Sequence, residues 1–155
     1  MMARSRRAVG VCLAVALALA VLPMPASAFF ELDFSGHVRQ DPDSFVGFNV
    51  KRTETGKRKV TFFTTRGIVY SCDDTSTGRT EFLTLEGSMR VKHRRFEGKV
   101  RVFTPQGDPV ARVHGKLQGD HQVANGDLRL VGKLSPQPGL RCDTGVLEWR
   151  ATAGG

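Results

Sequence analysis

The chain has 155 residues, with 23 Lys or Arg against 15 Asp or Glu and a formal charge of +8 at pH 7. That length fits one domain, and the basic excess falls short of the extreme of a dedicated nucleic-acid binder. Hydrophobic residues make up 40% of the chain and aromatic ones 8%, enough for one real core.

Residues 1–28 read as a secretory signal helix rather than as part of the working protein. Arg4, Arg6 and Arg7 open it, and 8–23 is an apolar run of 16 residues. Ala26-Ser27-Ala28 then offers the small-x-small pattern of a signal peptidase site. The run is shorter than the roughly 20 residues that span a bilayer. Cleavage after Ala28 is therefore expected, leaving an exported chain of 127 residues that starts at Phe29. Three arginines leave with the signal, so the charge falls to +5. No second apolar run approaches spanning length, and no integral membrane segment is expected after processing.

Period-two alternation dominates the remainder. Phe30, Leu32, Phe34, Gly36 and Val38 alternate with polar residues, and Asp41-Pro42-Asp43 reads as a break. Val46, Phe48 and Val50 alternate next, before a turn at 53–57. Runs at 60–65 and 68–72 pivot near Gly67, and 73–78 is a polar loop. Strand-like patterns continue over 82–85, 89–91, 96–102, 110–117 and 124–130, with a turn at Pro105-Gln106-Gly107-Asp108. After the loop 135–139, Leu147, Trp149 and Ala151 close the series. About ten short strands at this spacing predict an all-β domain over 29–155. Gly36, Gly98, Gly115, Gly126 and Gly145 fall on apolar registers, and repeated strand glycines are a device for curling sheets. A closed or nearly closed antiparallel barrel of 8–10 strands is favoured, with a β-sandwich as the alternative. A plainer reading is that the glycines make room for bulky neighbours such as Trp149.

Export discards Cys12 and leaves Cys72 and Cys142. An even count in an exported domain predicts a disulfide. No Cys-x-x-Cys is present and no His stands at metal-ligand spacing from either cysteine, so no metal and no cofactor are expected. Catalytic motifs are missing: there is no Gly-x-Ser-x-Gly, no His-Glu-x-x-His and no phosphate-binding glycine loop. Asp73-x-Thr75-x-Thr77-Gly78 echoes a calcium loop, but its twelfth position is Thr84 rather than Glu, and a polar turn is expected. His37, His93, His114 and His121 are scattered, and solvent-facing strand positions are the default for them.

Basic residues cluster. Arg90, Lys92 and Arg94 share one face of a strand, and Arg95, Lys99 and Arg101 the polar face of the next, interrupted by Glu97. Paired as a hairpin, these would put six cations around one carboxylate. Like charges directly opposite are unfavourable, and such a face seeks an anion. The plainer alternative is a solvated face that guards sheet edges. Lys51, Arg52, Lys57, Arg58 and Lys59 form a second cluster. Only Phe103 is expected on the cationic side, which argues against base stacking and sequence-specific nucleic-acid binding. Trp149 and Tyr70 stand on apolar registers and read as core anchors.

Val113-His114-Gly115-Lys116-Leu117, then Ala124-Asn125-Gly126-Asp127-Leu128-Arg129, then Cys142-Asp143-Thr144-Gly145 with Trp149 and Ala151, resembles a pattern of small exported actinobacterial-type proteins whose function is uncharacterised. The resemblance spans about 40 residues plus Cys72. It implies a β domain with one disulfide, Cys72 to Cys142, and an extracytoplasmic address. The expected function is a non-catalytic binding or structural module at or outside the envelope, contacting an anionic polymer. A barrel carrier of a small apolar ligand and an enzyme of unknown class are the alternatives.

Overall fold

The computed structural model describes residues 31–154 apart from 103 and 106. The expected signal helix over 1–28 and the position of Phe103 lie outside the described residues. Among those described, eleven strands follow in chain order and no helix occurs. They are β1 (Glu31–Val38), β2 (Asp41–Arg52), β3 (Arg58–Arg66), β4 (Val69–Cys72), β5 (Thr77–Arg79), β6 (Leu83–Arg90), β7 (Arg95–Arg101), β8 (Val110–Gln118), β9 (Val123–Gly132), β10 (Cys142–Asp143) and β11 (Leu147–Ala153). The fold is all-β, and every ladder is antiparallel. Among the described residues no helix is long and apolar enough to cross a membrane.

One ladder path runs β6-β3-β2-β1-β11-β9-β8-β7. The N-terminal and C-terminal strands pair with each other, Val38 opposite Trp149 and Phe34 opposite Ala153. A side branch, β10-β4-β5, leaves from the far end of β9. The two ends of the main path, β6 and β7, are joined by the turn 91–94 and share only the Lys92–Arg95 bridge. The sheet is therefore not closed. The side chain of Met89 lies across the seam on Gly98, whose missing Cβ would fall 2.6 Å from Met89 Cγ.

The core follows from the alternation. Phe34, Phe48, Phe63, Phe96 and Trp149 all point inward and are buried. Phe48 is the hub, with ring centroids at 4.8 Å from Phe34, 5.5 Å from Phe63, 5.5 Å from Phe96 and 5.6 Å from Trp149. Such pairs add to the burial of aromatic area itself. Tyr70, Cys72 and Cys142 form a smaller cluster on the side branch. Cys72 and Cys142 are disulfide-bonded and stand directly opposite each other on β4 and β10. Closing 70 residues of chain contributes about 4 kcal/mol in the chain-entropy account.

Three local expectations are corrected. Asp41-Pro42-Asp43 does not end a strand but begins β2; the chain reverses at Arg39 and Gln40. The buried Ser44 hydroxyl secures that reversal, donating to the Asp41 carbonyl at 2.6 Å and accepting from Val38 N–H at 2.8 Å. Gly145 is not in a strand; it sits in the bend before β11 at φ +66°. Near residue 62, β3 carries a bulge, with Phe62 and Phe63 together opposite Phe48. The extra residue shifts the phase, so Val60, Phe63 and Thr65 all face inward.

Candidate functional site

The exposed face of β7, β8, β9 and β11 is ordered into transverse rows by the register. The inward row Phe96, Gly115, Gly126, Trp149 fixes the phase. On the outside, Arg95, Lys116 and Asn125 form one row. Glu97, His114, Asp127 and Glu148 form the next, and Lys99, Arg112 and Arg129 the third. Basic, acidic and basic rows thus alternate along the strands.

The acidic row is tied together locally. His114 Nδ1 lies 2.8 Å from Asp127 Oδ1, and Arg39 pairs with Glu148 at 3.5 Å. An open groove of about 980 Å³ runs over this row and is also lined by Arg90, Lys92 and Arg95. Arg129 is the fixed member of the third row. Its Nε donates to Asp143 Oδ1 at 3.0 Å, and its Nη2 donates to Oδ2. That hydrogen bond raises the guanidinium pKa above its ordinary value. It also holds the Asp143 carboxyl below the usual carboxylate range, against a partial desolvation that raises it; the Gly145 N–H at 2.8 Å adds to the lowering. Asp143 follows Cys142 in the chain, so the disulfide anchors this clamp. Beside it a second concavity of about 720 Å³ is lined by Lys99, Arg112, Arg129, Lys133 and Arg141 against Asp73, Asp108 and Asp143. Among the described residues no ion pair engages Arg95, Lys99, Arg112 or Lys116.

The six cations singled out in sequence are all exposed: Arg90, Lys92, Arg94, Arg95, Lys99 and Arg101. The structure does not put them on one laddered hairpin face, because β6 and β7 separate beyond Lys92 and Arg95. Arg90 instead lies opposite Lys59, which lies opposite Lys51, in a row across β6, β3 and β2. Lys92, Arg94 and Arg95 surround the tip of the turn, where His93 and Arg94 both adopt left-handed backbone, at φ 47° and 65°. Lys99 gains Arg112 and Arg129 as neighbours. Local alternation marks those two arginines as outward, but only the register between strands brings them to Lys99. The second cluster is partly in register too, Arg52 opposite Arg58.

Elsewhere the expected loop 73–78 is shorter, because Thr77 and Gly78 already belong to β5; in the turn Asp73–Ser76, Asp74 accepts hydrogen bonds from the Ser76 hydroxyl and N–H, which lower its carboxyl pKa. Among the described residues no group of three or more His, Cys, Asp or Glu is placed to hold a metal ion. His37 and His93 are exposed, and His121 is half-buried. No protein-family profile matches the chain, and no curated protein or solved structure is similar to it.

Proposed function

We propose that this chain is an exported, non-catalytic binding module that engages an anionic polymer at or outside the cell envelope. The signal-like segment 1–28 and the disulfide support export. The carrying observation is the row Lys99–Arg112–Arg129, cations set directly opposite one another on three adjacent strands. Like charges in that relation destabilise a sheet, and an anion laid along the row relieves the repulsion. Arg95 opposite Lys116 extends the same pattern toward the turn carrying Lys92 and Arg94. We further propose that the sheet wraps as a nearly closed barrel with its seam between β6 and β7; the eight-strand ladder path supports this reading.

Retention on a polyphosphate or sulfated matrix tests the reading. The processed chain is expected to bind and to elute earlier as salt rises, since screening weakens exposed charge contacts. Lys99→Ser with Arg112→Ser is expected to elute at clearly lower salt, and adding Arg90→Ser, Lys92→Ser and Arg101→Ser to lower it further. Elution unchanged in the five-site variant would refute the proposal.

A further inference from the structure

Phe62 is unfavourable twice over where it stands. It occupies the bulge of β3 at φ 51°, a left-handed conformation that suits Gly or Asn and strains a bulky side chain. Its ring is also 60% exposed, so the strain is not offset by burial. Strain at an exposed aromatic points to a contact outside the chain. The surroundings carry three cations and one carboxylate, Glu31, which stands opposite Lys51 and pairs with it at 2.9 Å. Lys51 Nζ lies 5.4 Å from the ring centroid, and Lys51, Lys59 and Arg90 form the in-register row beside it. Phe82, also 60% exposed, lies just before β6, which pairs with β3.

We propose that Phe62 and this row form a docking surface for an anionic lipid bilayer. The ring has no hydrogen-bonding tip, so its favourable exit from water is into an apolar phase rather than onto a polar polymer. Lys and Arg stems reach past a shallowly inserted ring to place their charges among headgroup phosphates. Phe62, Lys51 and Lys59 lie on β2 and β3 and take no part in the row Lys99–Arg112–Arg129 on β7, β8 and β9; Arg90 is common to both surfaces and is left intact in the lipid test.

Co-sedimentation with vesicles tests it, using the processed chain from Phe29, which contains the entire core. Binding is expected to mixed phosphatidylcholine–phosphatidylglycerol vesicles and not to phosphatidylcholine alone. Phe62→Gly is expected to weaken binding about tenfold, equal to about 1.4 kcal/mol, with an unchanged or higher melting temperature and unchanged retention on polyphosphate. Lys51→Ser with Lys59→Ser is expected to abolish the preference for anionic vesicles and to leave retention on polyphosphate unchanged. As a second probe, Phe62→Trp is expected to show a blue-shifted emission on adding those vesicles, against the constant signal of buried Trp149. A wild-type chain that stays in solution with anionic vesicles overturns the proposal even if polyphosphate retains it. So does wild-type binding by Phe62→Gly, or a Phe62→Trp emission that vesicles leave unmoved.

Discussion

Gly126 lies beneath the indole of Trp149. The two residues face each other in register on β9 and β11, and a Cβ at 126 would come within 2.7 Å of Trp149 Cζ2. The same Cβ would meet the His114 carbonyl and the Gly115 backbone, so it has no direction in which to escape. Gly126→Ala is therefore expected to destabilise the fold by roughly 1–3 kcal/mol, the range of overpacking in a tight core. A shift in the urea midpoint measures it, and an unchanged midpoint would show that β9 and β8 separate more readily than the register suggests.

Thr65 supplies the opposite case. Its side chain is fully buried and its hydroxyl has no hydrogen-bond partner among the described residues. Thr65→Val keeps the shape and removes the desolvated hydroxyl, and is expected to raise stability by about 1 kcal/mol. Calorimetry on the two proteins decides the sign.

The turn between β6 and β7 uses His93 and Arg94 at two left-handed positions where Asn-Gly is the favoured pair. Replacing both, His93→Asn with Arg94→Gly, is expected to stabilise the protein by roughly 1 kcal/mol through relief of backbone strain. If Arg94 belongs to the polymer-binding surface, the same variant elutes from polyphosphate at lower salt. Stability and binding then move in opposite directions.

The Arg129–Asp143 clamp gives the acid limb of stability a defined sign. The folded carboxyl titrates below its unfolded value, so its stabilisation is complete above the ordinary carboxylate pKa of about 3.9 and is lost as pH falls through the lowered folded value. Asp143→Asn is expected to flatten the fall of melting temperature over that acid range. It leaves Arg129 without its clamp, so the variant is less stable at neutral pH. A melting curve that steepens equally in both proteins would assign the acid sensitivity to other carboxylates.

Much of the wall of this molecule is legible strand by strand. Alternation alone sends Phe34, Val113, Leu128 and Trp149 inward, and the even count of cysteines beyond residue 28 points to the bond between Cys72 and Cys142. Pairing order is another matter. Nothing local says that Val38 meets Trp149, or that the short β10 leaves the path to hold β4. The bulge at Phe62 was hidden because two successive phenylalanines fit either phase, and the choice is made by Phe48 across the ladder. For the same reason the basic surface was legible in composition but not in layout. Lys99, Arg112 and Arg129 are separated by a dozen or more residues, and only register assembles them. The glycines divide in the same way: Gly126 clears the indole and Gly98 the Met89 side chain, whereas Gly145 serves a bend.

The main ladder path is interrupted between β6 and β7. Every other strand of the main path has a ladder on both sides, and these two have one each. Their facing amides exchange with solvent deuterium without any strand parting from its neighbour, whereas those of β1 or β9 wait for a ladder to open. Consecutive strands hinged at a tight turn and held across the gap by Met89 on Gly98 give way first when the sheet is stretched, while the pairing of β1 with β11 stays intact.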